Sequence, residues 1–443
     1  MISINEILGD CPHSWAPRMG MSTSRRSSSQ SGGCFKIPRW RFGLVCCGVF
    51  LLHFAGSPVT AATVSVNQPT SAAYLPKAKP VEAPKREALE GAITRGVDFL
   101  LKNQNPDGSW GSATPATNLF APVPGAHDAF RAAVSALAIS ALIDCADARP
   151  AVSASIDRGE VWLLANLPKV RRADMDALYN TWTHAYGIEA LARLLARRPD
   201  DVARQRAIRE VIAQQVDRLD RYQFGGGGWG YYDFDSHLKQ PGGYVPSFTT
   251  ATVLLALKEA RRAGVEVPEQ MITRGLRTVR DQQKPDFTYL YGGHFWARPM
   301  HMINQPGGSL GRSQVCNLAL LRWDDKRITD AVLEECLDRL FARNLWLDIG
   351  RKRPIPHESH YAVAGYFYYY GNYYAAQCID ELPAEKRPQL FAQLSTRLIP
   401  LQETDGSWWD FPLYNYHQQY GTAMAVMSLV RCRAENPRPL VGG

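Results

Sequence analysis

The chain has 443 residues, 45% hydrophobic and 21% charged, enough apolar sequence for a large core and too much for a disordered tail. Lys and Arg number 50 against 42 Asp and Glu, a formal charge of +8, but residues 1–61 hold six of the basic residues and only two acids. The remainder carries +4 and no Lys/Arg block, which excludes the electrostatic footprint of a nucleic-acid partner.

The first element is an address. Residues 42–55 (FGLVCCGVFLLHFA) form an apolar run preceded by Lys36, Arg39 and Arg41 and followed by Val59-Thr60-Ala61-Ala62. This is the pattern of a secretory signal, and the run is short of the ~20 apolar residues of a spanning helix. Residues 1–61 are therefore expected to be a signal peptide, or a signal anchor if uncleaved, with translation starting at Met1, Met19 or Met21. An extracytoplasmic location follows, periplasmic or secreted, with membrane contact only through that segment. Residues 62–86, with Pro69, Pro76, Pro80 and Pro84, read as a linker, 87–434 as the folded body and 435–443 as a tail. Four of the nine cysteines fall before residue 61; Cys145, Cys316, Cys336, Cys378 and Cys432 read as small buried hydrophobes.

The body is repetitive. Residues 93–110 read ITRGVDFLLKNQNPDGSW and 394–408 read LSTRLIPLQETDGSW, so Gln-x-x-Asp-Gly-Ser-Trp occurs twice. Weaker copies lie between, and the units align at Gln104, Leu167, Gln223, Gln283, Asn344 and Gln402, six copies with steps of 56 to 63 residues. Each unit holds two helical patterns. The second is apolar almost all round, over residues 129–144, 183–195, 249–260, 313–321, 360–378 and 421–430. No segment alternates with period two, so the body is all-α: outer amphipathic helices around inner apolar ones, closed into a ring or stacked as a solenoid.

Arg95-Gly96-x-x-Phe99-Leu100-x-x-x-Gln104-x-x-x-Gly108-x-Trp110 resembles the QW repeat of the terpenoid cyclase and protein prenyltransferase superfamily. The resemblance spans essentially the whole body and implies an (α/α)6 toroid with a central cavity. It further implies that Gln104, Trp110, Gln223, Trp229, Gln402 and Trp408 are structural staples, each Gln bonding exposed amides at a helix end with a Trp stacked on it.

Candidate chemistry gathers where inner helices are expected to begin, since helix amino termini concentrate positive potential and free N–H groups. Five of the body's eight histidines (127, 184, 357, 360 and 417) fall there. His184, His357, Glu358 and His360 are candidate catalytic groups, with Asp128 a candidate ligand contact. After the glycine run at 225–228, Asp233, Asp235 and His237 suit a general acid pair or a cation. Tyr366, Tyr369, Tyr370, Tyr373 and Tyr420 are candidate wall residues, because so many tyrosines cannot all face an apolar core.

Catalytic signatures of the resembled family are incomplete. The D-x-D-D of squalene-hopene-type cyclases meets Asp233-Phe-Asp235-Ser236, the Asp-x-Cys of prenyltransferase zinc meets Gln314-Val-Cys316 with His360 as the later ligand, and no DDxxD is present. No cofactor is expected, with zinc or another divalent cation as the alternative. Three functions remain open: a cyclase-like enzyme or binder for an isoprenoid or lipid; a polysaccharide lyase or hydrolase acting on a glycan; and a non-catalytic protein-binding toroid. The Gly-Cys-Gly-Glu-Gln thioester string of complement-type rings is absent.

Overall fold

The computed structural model describes residues 76–111, 126–170, 180–231, 240–412 and 417–433. The described residues all belong to the compact unit Val66–Gly443. Residues 1–61, expected to be a signal peptide or signal anchor, and Asp233, Asp235 and His237, lie outside the described residues.

Among the described residues there are thirteen α-helices and, beyond isolated bridges, no strand. They alternate as α1 (Arg86–Lys102) and α2 (Ala126–Asp144), α3 (Pro150–Asn166) and α4 (Asn180–Arg197), α5 (Val202–Arg221) and α6 (Ser247–Arg262), α7 (Glu269–Asp281) and α8 (Leu310–Arg322). Then come α9 (Asp330–Ala342), the short α10 (Asn344–Asp348) and α11 (Phe367–Asp380), and finally α12 (Arg387–Leu398) and α13 (His417–Arg431). The inner helices α2, α4, α6, α8, α11 and α13 each pack on the next, and α13 returns to α2. That contact closes the circle, so the protein is an (α/α)6 toroid and not an open solenoid. Outer helices α3, α5, α7, α9 and α12 each cover the inner helix of a pair, while α1 covers α13 and so completes the last pair with the first described helix.

Burial follows from this arrangement. Every residue of α11 from 367 to 379 is buried, because the helix touches two inner neighbours and an outer one. Outer α7 buries only Met271, Ile272, Gly275, Leu276 and Val279, the single stripe of an amphipathic helix. Cys145, Cys316, Cys336 and Cys378 are buried free thiols and Cys432 is half-buried. Residues 76–85, expected to be linker, are already held: Gln389 and Gln393 of α12 donate to the carbonyls of Val81 and Lys79.

The fifth inner helix starts at Phe367, not at His360. Tyr361 (φ 65°) and Ala362 (φ 51°) are left-handed, a conformation that no right-handed helix accommodates. His357, Glu358 and His360 therefore stand on a loop ahead of the helix.

The Gln and Trp residues tie three helices at once. Each Trp is buried, donates its indole N–H to the outer helix just before it (Leu100, Leu219 and Leu398 O at 2.8, 2.7 and 2.8 Å) and is met at its backbone N–H by a hydroxyl of the inner helix (Ser135, Thr250 and Thr422 at 2.9, 3.0 and 3.0 Å). Each Gln reaches the following outer helix, where its amide donates to Ser155 O (2.9 Å), Met271 O (2.8 Å) and, around the closure, Ala92 O (3.0 Å). The expected bonds to helix-end amides are thus reversed in sense: the Gln nitrogen is the donor and a helical carbonyl, with its second lone pair, accepts. Gln402 Oε1 takes Arg95 Nε at 3.0 Å, and the adjoining Gly96 leaves room for Trp408, whose ring a Cβ there would meet at 2.8 Å.

Candidate ligand-binding site

The two ends of the inner ring differ in chemistry. At the carboxy ends, ion pairs join neighbouring helices: Arg193 with Asp144 (3.3 Å), Arg322 with Glu381 (2.8 Å), and Arg431 with Asp380, while Arg193 also pairs with Glu189 on its own helix (3.6 Å). Burial pushes the Glu189 carboxyl above its usual value, against the pull of Arg193, and Tyr373 donates to it at 3.4 Å.

The amino ends are aromatic. Trp182 of α4 stacks on Phe248 of α6 (6.1 Å), and Phe248 meets Phe367 of α11 edge-on (5.0 Å) and Tyr291 (5.4 Å). Tyr231 lies 6.1 Å from Phe248, and Tyr366 lies 4.9 Å from Phe367. Trp182, Tyr231, Tyr366 and Tyr420 are half-buried, while Phe248, Tyr291 and Phe367 are buried behind them. Below, the Tyr370 hydroxyl pairs with Thr252 (2.8 Å) and donates to Phe248 O (3.2 Å), so the polar ends of this layer are satisfied within the protein and the ring faces form an apolar floor.

Across this wall runs a line of polar tips. Tyr231 and Tyr291 hydroxyls are 2.5 Å apart, Tyr291 and Tyr366 hydroxyls 3.3 Å, and the Tyr366 hydroxyl is 3.1 Å from His357 Nε2. His357 Nδ1 lies 2.7 Å from Ala362 O. Burial holds the His357 imidazole below its usual pKa, and Arg312 adds to the effect, so it is neutral at neutral pH. The loops carrying these groups are pinned together: Pro246 and Gly292 form an antiparallel bridge, and buried Arg312 clamps Tyr289 O (3.1 and 2.8 Å) and Gly308 O (2.6 Å).

Of the residues singled out from sequence, His357 and Tyr366 come together here, with the Tyr420 hydroxyl donating to Tyr366 O (3.1 Å) and Tyr370 in the floor. Others go elsewhere. His184 points between the layers, with Nδ1 donating to Gln215 Oε1 (2.7 Å), Nε2 accepting from Asn180 (3.1 Å), and its ring stacked on Tyr222; burial lowers its pKa to about 3. Such a ring is neutral core, with both nitrogens committed. His360 is exposed beside Trp346 (5.3 Å), and Glu358 and Asp128 are exposed. Tyr373 belongs to the carboxy-end network, and Tyr369 sits under the wall beside Asp410. Among the described residues no three His, Cys, Asp or Glu side chains gather as a metal site. Cys316 is buried and its thiol is pushed up to about 12, while His360 is on the surface.

Trp182, Phe248, Tyr231, Tyr291 and Asp410 carry no motif and went unremarked in the sequence. The one available signal was spacing, since Trp182 and Phe248 both fall at inner-helix starts.

No family model matches the chain, and no curated protein matches it. Solved structures do. A protein from Actinoplanes is 16% identical with a TM-score of 0.45, covering 78% of this chain and 99% of its own. A variant of the type II terpene cyclase MstE from Scytonema, in complex with geranylgeranyl dihydroxybenzoate, is 14% identical with a TM-score of 0.47, covering 78% and 97%. An inactive variant of an α-1,6-mannanase of Salegentibacter, in complex with α-1,6-mannotetrose, is 10% identical with a TM-score of 0.48, covering 78% and 99%.

Proposed function

We propose that the protein is an exported α/α toroid that takes an apolar chain, an isoprenoid or other lipid, into the aromatic basin at the amino ends of its inner helices. The observation that supports this reading is the unbroken aromatic contact from α4 through α6 to α11, with the hydroxyls of the floor turned into protein. Such faces offer large apolar area, and their negative quadrupole also suits a developing positive charge. Asp233, Asp235 and His237, which follow Tyr231 directly in sequence, are proposed to supply the acid of a cyclase-like reaction, with no cofactor.

Displacement of a fluorescent polyene fatty acid by squalene or prenyl diphosphates tests the reading. Trp182→Ala and Tyr366→Ala are expected to weaken the probe roughly tenfold each, the loss of about 1.4 kcal/mol of contact. Asp233→Asn with Asp235→Asn is expected to abolish turnover and leave displacement intact. Oligosaccharides that displace the probe where lipids do not would turn the assignment to a glycan-processing enzyme, a second reading favoured by the polar line Tyr231, Tyr291, Tyr366 and His357. A chain that binds neither belongs to the non-catalytic class.

Export is proposed from residues 42–55. The mature amino terminus is expected next to residues 61–62 in the extracytoplasmic fraction; a cytoplasmic chain with intact residues 1–61 rejects it.

A further inference from the structure

The polar line along the basin has a direction. Ala362 O is only an acceptor, so the ring nitrogen 2.7 Å from it, His357 Nδ1, carries the proton. In the neutral imidazole Nε2 is then an acceptor, and the Tyr366 hydroxyl at 3.1 Å must donate to it. With that proton committed, the contact between Tyr366 and Tyr291 (3.3 Å) is donated by Tyr291, and the contact between Tyr291 and Tyr231 (2.5 Å) by Tyr231. One backbone carbonyl therefore orients three phenols, all pointing their protons toward His357.

Two further features bear on this line. The carbonyl reaches back to the imidazole because His357 (φ 64°), Tyr361 (φ 65°) and Ala362 (φ 51°) are all left-handed, which costs of order 1–3 kcal/mol at each non-glycine residue and gathers at functional sites. The Arg312 guanidinium lies 5.6 Å from the Tyr291 ring centroid, is 1% exposed, and forms no ion pair with a carboxylate among the described residues. Its positive charge favours transient phenolate character at the middle of the line and helps to hold His357 neutral, open to a proton.

We propose that Tyr231, Tyr291 and Tyr366 form a proton relay that withdraws a proton from a ligand in the basin and delivers it to Nε2 of His357, the base of the site. The bond from hydrogen to the ligand atom breaks and its electron pair stays on the ligand, as a new C=C where the carbon flanks a cationic centre. The proton binds Tyr231 Oη as the proton of Tyr231 passes to Tyr291, that of Tyr291 to Tyr366, and that of Tyr366 to His357. The tyrosines end unchanged, the ligand has lost one proton and the imidazole has become imidazolium. The ligand class is one that must be deprotonated against Tyr231, and the inference rests on the reading of the basin as a ligand site.

The test needs no substrate. With 3-nitrotyrosine placed at position 231 of the full chain, visible absorbance reports phenolate and nitrogen NMR reports His357. The relay requires phenolate at 231 and imidazolium at 357 to form in one step, and either His357→Gln or Tyr291→Phe to raise the apparent pKa of the nitrophenol by about one unit or more, a tenfold shift. A phenolate that forms while His357 stays neutral, unmoved by both substitutions, overturns it. Should the nitro group prevent folding, Tyr366→Phe is read instead: the relay expects the His357 Nε2 resonance to move to that of an unbonded nitrogen, and an unmoved resonance overturns it. Coupling that survives Tyr291→Phe unchanged, with polyene displacement by lipid in the wild type, rejects the relay and spares the basin. Intact coupling with no displacement by lipid or sugar rejects the basin.

Discussion

Trp408→Ala is expected to lower the unfolding free energy by about 3–5 kcal/mol, the range for deleting a buried aromatic. Trp408 is fully buried, donates its indole N–H to Leu398 O at 2.8 Å, and donates its backbone N–H to Thr422 Oγ1 at 3.0 Å. Its ring lies against Gly96 of α1, so it joins the last repeat to the first described helix. A ring has one such closure, and α13 loses its outer cover if α1 detaches. Gly96→Ala, which changes a different helix and removes no side chain, is expected to act in the same direction, because its methyl would meet Trp408 at 2.8 Å and Val426 at 2.7 Å. Urea denaturation measures both. A loss under about 1 kcal/mol for Trp408→Ala would reject the closure role.

Asp410→Asn is expected to stabilise the protein at neutral pH and to flatten its dependence on pH. Asp410 is 1% exposed, its Oδ2 accepts the Tyr369 N–H in the first turn of α11 at 3.0 Å, and its Oδ1 has no hydrogen-bond partner among the described residues. Burial pushes the carboxyl from 3.8 up to about 7, only partly offset by the Tyr369 N–H and by Arg351. The folded state therefore holds a proton that the unfolded chain releases. Stability from this group is greatest below the unfolded value near 3.8, falls as pH rises toward 7, and is level above it. A shift of about three units corresponds to roughly 4 kcal/mol. Asparagine cannot ionise and still accepts from Tyr369, so the variant should exceed the wild type at about pH 8 and match it at about pH 4. Equal slopes in the two proteins would show that Asp410 is not the titrating group.

The architecture was legible because it is written locally. Apolar residues at helical spacing mark each hairpin, and the Gln and Trp residues sit within a few positions of the turns they hold. The second turn of the third repeat shows the limit of that legibility. Thr250 reads as a helix-start residue, yet its hydroxyl meets the Trp229 N–H at 3.0 Å, a bond between layers. The sequence places the start of α11 too early because residues 360–366 are as hydrophobic as the helix, and the left-handed turn at Tyr361 and Ala362 leaves no mark in composition.

The site was legible only in part. His184 and His357 had equal standing as histidines near inner-helix starts, but one turns outward to Gln215 and the other inward to Tyr366. Trp182, Phe248 and Phe367 sit on three helices far apart in the chain and meet in one wall. By itself the sequence determined an all-α body of six hairpins and the buried stripe of each outer helix, because periodicity reports exposure along an amphipathic helix. The tertiary structure alone decided that the array closes, which aromatic faces meet, and that one carbonyl, Ala362 O, orients three phenols toward His357. Those outcomes depend on the identity of neighbours across the ring, and a buried residue reads the same in sequence whichever neighbour it meets.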